Sequence, residues 1–470
     1  MIMKNNTKLS HLYPYIFIIS FAMITSILLI ANPSYYSHDE LQKLDHVYKF
    51  GLNHYISQYC SLNVGHDFGV PIRPFAFFIQ GLLALFMDNY PVAVHLFAVI
   101  SHALVACLLY TIILRLTENT KLSLMSAIIF ILNPMTIIAT GWSAALMDRL
   151  YILFGLIAFL YADKYLRDRA SPIYLIYLLF AGSLALISKE TALVLPLLLI
   201  IVLVKQQELF FKKRFWLVTT IWLVPGILFF IYRLPALINS FNNPIAQSYK
   251  ASFSNVTDNV LVYMSYPFLI QLNEAIGWVF LPSYWIWLGV VLHLMIIVSI
   301  GIRFGAKYSL YYVLFFFIFL LPIIMISVKG AHYLYGSSLS ISVVLAALIH
   351  FKGRFHRPLK FFSYFILIIF TLHSYRLQIF VYDLGTCMDR TLISAESLYI
   401  TYDKPKKVVF QAEPGAQEHI LHRIVTGRNR IGESFSTELS VSKFGALVED
   451  ESSLILTMNK QCYLYKLNKH

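Results

Sequence analysis

Apolar stretches close to 20 residues long recur from Leu12 to Phe380, each pair separated by a polar link. A run of that length crosses a bilayer as a helix, and only helices or closed barrels satisfy their backbone inside lipid. The chain therefore reads as an all-α polytopic membrane protein. Expected spans are about 12–31, 92–114, 122–140, 144–162, 172–188, 190–204, 215–232, 284–301, 308–328, 334–350 and 361–380, about 11 transmembrane helices in all. The first run stands where a signal peptide would. It is long for one and no A-x-A-like site follows, so it reads as a retained span. Of 470 residues, 58% are hydrophobic and 13% charged, against about 25% charged in a soluble domain.

The net charge of +13 does not point to nucleic acid, because Lys and Arg gather in alternate links. One set holds Arg115 and Lys121, Lys164 and Arg167, Lys212 to Arg214, Arg303 and Lys307, and Lys352 to Lys360. The other set is longer and more sparsely basic, with Lys43, Arg73, Lys189 and Lys329 among its members. By the positive-inside rule the first set is cytoplasmic, and so is the N-terminus. Arg73 to Asp88 is apolar but short and flanked by charge. It is expected to lie in the first outer loop as an interfacial or re-entrant helix.

The composition divides the chain into a transmembrane domain, 1–381, with its first outer loop at 32–91, and a small outer α/β domain, 382–470. In the latter, alternating runs at Lys407–Gln411 and Ser453–Met458 flank an expected helix, Glu413–Val425. Cys387 and Cys462 bracket this domain and are a candidate disulfide in an oxidising compartment. Cys60 would be left over, Cys107 lies in an apolar run, and the spacings do not suggest zinc.

Four groups of ionisable residues fall on the outer side. Asp39-Glu40, after His38, follows the first span. Such a pair is either two solvated acids capping a helix at Leu41–Phe50, or a general base with a neighbour that orients an acceptor or a metal. His66 and Asp67 can join it if the loop folds back. Ser188-Lys189-Glu190 interrupts more than 30 nearly continuous apolar residues. It is a hairpin turn satisfied by its own ion pair, or a phosphate site with Lys189 as a point charge. Asp148-Arg149 opens the fourth span, as a structural ion pair or as part of a site lining. Lys329 to Tyr335, with His332, Tyr333 and Tyr335, is an aromatic belt or a cationic patch under a lipid-linked phosphate. The spans themselves look apolar at mid-depth, which favours surface chemistry over transport.

At these positions the chain resembles the GT-C fold of polyprenyl-phosphate-sugar-dependent glycosyltransferases. It looks most like the branch with protein O-mannosyltransferases and bacterial lipid A aminoarabinose transferases. The resemblance rests on Asp39-Glu40, Ile72-Arg73-Pro74-Phe75, His95-Leu96 through Ser101-His102-Ala103, Asn133-Pro134, Ser188 to Ala192 with Pro196, and Ala331 to Tyr335. It runs from about Tyr35 to Leu345. His332 stands where the family has arginine, Ile72 where it has tyrosine and Asn133 where it has histidine. No tetratricopeptide repeat is present.

The resemblance implies a glycosyltransferase of the bacterial inner membrane that works on the periplasmic face, with the C-terminal domain periplasmic. Asp39 would deprotonate the acceptor hydroxyl, and Glu40 would orient the acceptor or a divalent metal. Arg73, Lys189 and His332 would hold the phosphate of a polyprenyl-phosphate-linked sugar. His66, Asp67, Asp148, Arg149, Glu190, Tyr333 and Tyr335 would line the cavity. By analogy with proteins of similar length, the acceptor is expected to be an envelope glycan or lipid-linked glycan of the O-antigen/lipopolysaccharide type. Alternatives are a protein O-glycosyltransferase, a lipid-linked sugar transporter or flippase, and a non-catalytic scaffold.

Overall fold

The computed structural model describes residues 12–35, 37–60, 72–168, 171–205, 207–240, 252–268, 283–353, 355–428, 430–431, 437–445 and 453–466. Its helices are α1 (Tyr13–Thr25, continued by Ile27–Ile30), α2 (His38–Phe50), α3 (Leu52–Tyr59), α4 (Pro74–Met87), α5 (Pro91–Thr117), α6 (Thr120–Ile131), α7 (Pro134–Gly141) and α8 (Leu146–Arg167). They continue with α9 (Pro172–Ser188), α10 (Lys213–Ser240), α11 (Ser254–Ser265), α12 (Ser283–Phe304), α13 (Ala306–Ile318), α14 (Ser337–His350), α15 (His356–Thr401) and α16 (Glu418–Gly427).

Among the described residues, 5 helices are long and apolar enough to cross a membrane, and α6 with α7 makes a sixth across a 57° bend. Shorter apolar helices coincide with the remaining expected spans and with the apolar segment at residues 73–88. The protein is a multi-pass helical membrane protein. Starts are written locally: Pro74, Pro91, Pro134 and Pro172 each occupy the first helical turn, where a missing N–H costs nothing. Asn133 caps α7 by accepting from the Met135 amide at 3.0 Å and donates to Ser342 Oγ at 3.3 Å.

Three expectations are corrected. The span at 190–204 opens as a 3-10 helix, Glu190–Leu198, with Pro196 inside it. Pro196 supplies no amide to an α-type ladder. The span expected to reach residue 328 stays helical only to Ile318 and then turns. The helix expected from Leu41 begins at His38, because Ser37 accepts from the Asp39 amide and the two acids sit favourably in the first turn.

Packing inside lipid depends on close approach rather than on transfer from water. Small residues accordingly recur among the buried positions of α5 and α6, which pack together, including Ala103, Ala106, Ser123, Ser126 and Ala127. α8 fixes two opposite ends of the bundle, since 22 residues of helix rise about 33 Å. Asp148 lies in its first turn. In its last turns Arg167 Nε donates to Asp163 at 2.5 Å, and Arg115 reaches Asp163 and also Asp168, the latter at 2.8 Å.

The last helix, α15, runs 46 residues and passes position 382 without a break. The sheet that follows has the order β2-β1-β3-β4, with β1 Lys407–Ala412, β2 Glu438–Val441, β3 Leu454–Met458 and β4 Leu464–Lys466. β1 is parallel to β2 and β3, pairing Val408 with Leu439 and Phe410 with Leu456; β4 is antiparallel to β3. Its residues Val408 to Ala412 are all buried, as suits a strand with both faces covered. α16 begins five residues later than expected, because residues 413–417 turn, with Gly415 at φ +84°. Cys387 of α15 is disulfide-bonded to Cys462, between β3 and β4. Non-reducing peptide mapping is expected to recover this pair. Replacing both cysteines by serine should cost about 2–5 kcal/mol of stability, read as a lower unfolding midpoint. Recovery of both as free thiols would contradict the pairing.

Candidate active site at one end of the bundle

The junction after α9 builds the centre of the site. Ser188 ends the helix by donating to the Leu184 carbonyl at 2.6 Å, and Lys189 is extended, with φ −159° and ψ 132°. Successive side chains on extended backbone point opposite ways, so Lys189 and Glu190 do not pair with each other. Lys189 Nζ donates to Asp148 Oδ1, and both residues are buried. Its ammonium also lies over the Tyr333 ring, 4.8 Å from the centroid, and 5.8 Å from that of Tyr151. Glu190 receives a fork from Arg73: Nε and Nη2 each donate to one carboxylate oxygen at 2.7 Å. Such a bidentate pair fixes both groups in direction as well as distance. Arg73 Nη1 rests on Met147 Sδ.

His332 packs edge-on to Trp142, with ring centroids 4.9 Å apart, and against Tyr333 at 4.1 Å. A Cβ at Gly330 would collide with its ring, so the close approach requires glycine there. Arg73, Asp148, Lys189 and His332 act on one another electrostatically. Within this cluster Asp148 Oδ2 and His332 Nδ1 are buried and make no hydrogen bond. Buried polar atoms are nearly always satisfied. Two such atoms stand beside the Arg73 and Lys189 cations, where a polar partner can reach them.

The acidic pair stands beside this cluster. Asp39 is partly exposed, while Glu40 is buried, and neither Glu40 oxygen closes a hydrogen bond of normal geometry. Burial and the Asp39 charge raise the Glu40 carboxyl from its ordinary 4.5 to about 8; its own amide, the Ala144 amide and Arg423 act the other way. Lys43, one turn on from Asp39, connects the two halves. Burial pushes its ammonium down to about 8, with Asp39 opposing and Arg73 adding to the shift. Its Nζ lies 4.1 Å from the Tyr59 ring centroid.

The structure thus joins Arg73, Asp148, Lys189, Glu190, His332 and Tyr333, with Asp39 and Glu40 reached through Lys43. Arg149 points away from this cluster, into the bundle: its Nε donates to Ser101 Oγ at 2.9 Å and its Nη1 to the Ala139 carbonyl. Tyr335 is held behind the site by a 2.9 Å bond between its hydroxyl and His102 Nδ1. His66 and Asp67 lie outside the described residues. Sequence reasoning passed over Lys43, Arg423 and Gln80, which donates to the Ala144 carbonyl at 3.2 Å. Lys43 carried a signal, as the i+4 partner of Asp39. Arg423 carried none. Among the described residues no group of three or more His, Cys, Asp or Glu could hold a metal. Asp39 and Glu40 are the two carboxylates through which a divalent ion would bind here.

Fold and site together define a multi-pass membrane protein with a charge-paired polar centre at one end of its bundle. Residues 71–232 match the family model described as dolichyl-phosphate-mannose-protein mannosyltransferase. The matched segment contains Arg73, Asp148, Lys189 and Glu190, and it bears out over that range the resemblance to polyprenyl-phosphate-sugar-dependent glycosyltransferases. No curated protein sequence matches the chain. Among solved structures it is similar to ArnT from Cupriavidus metallidurans bound to undecaprenyl phosphate, with 12% identity, 92% of this chain and 86% of that chain covered, and a TM-score of 0.48. ArnT from the same organism in the apo state gives 9% identity, coverage of 85% and 82%, and a TM-score of 0.45.

Proposed function

We propose that this protein is a membrane glycosyltransferase that takes a sugar from a polyprenyl-phosphate donor and passes it to an envelope glycan of the O-antigen/lipopolysaccharide type, on the periplasmic face of the bacterial inner membrane. The observation that carries the reading is two adjacent ion pairs, the half-buried Arg73–Glu190 fork and the buried Lys189–Asp148 pair, with unbonded Asp148 Oδ2 and His332 Nδ1 beside them. The family match over 71–232 supports it.

In the proposed reaction an acceptor hydroxyl attacks the anomeric carbon of the donor sugar. Its proton passes to Asp39, and the bond from the anomeric carbon to the phosphate oxygen breaks. Polyprenyl phosphate leaves with the electron pair. Arg73 and Lys189 stabilise the charge that grows on that oxygen, which is where a fixed cation gains most. His332 contributes a neutral or charged contact where relatives have a permanent cation. Glu40, carrying its proton, donates to and orients the acceptor.

The test is transfer of labelled sugar from polyprenyl phosphate in membranes that contain the protein. Asp39→Asn is expected to lower turnover by about 10²–10⁴-fold. Label appearing in lipopolysaccharide-type glycan supports the acceptor, whereas label on protein would replace it with protein O-glycosylation. Normal turnover in Asp39→Asn would reject the assignment. Transport of lipid-linked sugar that tolerates this substitution would favour a flippase.

A further inference from the structure

The small C-terminal unit is clamped onto the first outer loop rather than merely tethered to the bundle. Arg430, buried, donates from Nε to Asp45 Oδ1 at 2.9 Å and from Nη2 to Asp88 Oδ2 at 2.6 Å. Asp45 belongs to α2 and Asp88 caps the end of α4, so one guanidinium joins three segments. Its plane also covers the Tyr48 ring at 4.0 Å. Arg428 adds a 3.4 Å contact to Asp88. α16 packs along α2, and Gln42 Nε2 donates to the Thr426 carbonyl at 3.3 Å. Arg423, one turn before Thr426 on α16, is buried in this same interface.

We infer that the C-terminal unit completes the catalytic site, with Arg430 and Arg423 as positioning residues for the acidic pair. Arg430 fixes the angle of α2 against α4, and α2 carries Asp39 and Glu40 in its first turn. Arg423, buried on α16 where that helix packs along α2, brings a cation within electrostatic reach of Glu40. Among the described residues, the groups that act on the Glu40 carboxyl are Asp39 on its own helix, the Tyr35 phenol before it, the Ala144 backbone and Arg423 on α16. Arg423 is the cation among them, and it comes from a unit that the resemblance does not cover. The inference rests on the glycosyl-transfer reading for its catalytic meaning, but the coupling between Arg423 and Glu40 is measurable without turnover.

The experiment uses the full chain in membranes or detergent, with Arg423→Gln, Arg423→Lys, Arg430→Gln and Arg430→Lys. Labelled-sugar transfer is followed against donor concentration and pH. The infrared band of the protonated Glu40 carboxyl, assigned by its loss in Glu40→Gln, is titrated in parallel. Loss of positioning in either Gln variant should lower kcat by about 10–100-fold with donor KM within about twofold, since an ångström of misplacement is worth that much. In Arg423→Gln the infrared midpoint and the alkaline limb of the rate profile both move to higher pH, because a cation that favours the ionised form is gone. The Lys variants restore most of both effects. If the wild type transfers sugar but the Gln variants keep its kcat, midpoint and pH profile, the inference is overturned. If the wild type transfers no sugar while the infrared midpoint still moves, the proposed function falls and the Arg423–Glu40 coupling stands.

Discussion

Lys189→Met is expected to unfold the protein more readily and to abolish sugar transfer. The substitution leaves Asp148 buried with neither oxygen bonded, and breaking such a pair costs about 3–5 kcal/mol. It also removes a cation from the proposed site of the departing phosphate, worth about 10²–10³-fold in rate by analogy with a single oxyanion donor. The two losses separate in the double variant Lys189→Met/Asp148→Asn. A neutral amide in place of the carboxylate should recover most of the thermal midpoint in detergent and none of the transfer. If the double variant regains transfer, Lys189 is structural and its role at the phosphate is wrong. If Lys189→Met keeps the wild-type midpoint, the ion pair contributes little to stability.

The second large effect is a dependence on pH that follows from Glu40. Its carboxyl keeps a proton in the folded protein to about pH 8, while in the unfolded chain it loses that proton near 4.5. Below 4.5 both states are protonated and the group contributes nothing. Between those values the unfolded state binds fewer protons, so stability falls as pH rises, and above about 8 the loss is complete. Wild type should therefore melt at progressively lower temperature from about pH 5 to about pH 8. Glu40→Gln should remove that part of the slope. In transfer, the same substitution keeps a donor toward the acceptor. It is expected to retain activity within about tenfold while losing the alkaline fall. A Glu40→Gln protein with an unchanged melting profile would show that the carboxyl is already ionised at neutral pH.

Much of this arrangement was legible in the chain because lipid imposes simple rules. Span positions followed from run length, although the run 122–140 hid the 57° break before Pro134. The grouping of Arg73, Asp148, Lys189 and His332 followed from charge that had to be gathered somewhere in an oily protein. The partners were less legible. Lys189-Glu190 reads as a turn closed by its own ion pair, and only the extended backbone at Lys189 sends the two side chains to Asp148 and Arg73 instead. Arg149 was expected in the cavity, yet one step along the helix from Asp148 rotates its side chain by about 100°, into Ser101 and the α7 carbonyls. The C-terminal unit was legible only as alternating runs. β2 and β4 are too short to show a period, and nothing local marks Arg423 or Arg430 as facing residues more than 300 positions earlier.

Lys189 and Glu190 share a single peptide unit while serving two separate ion pairs. Each cation therefore has its own counter-ion, Asp148 for Lys189 and Glu190 for Arg73, and the two pairs are linked through one backbone step rather than through a shared carboxylate.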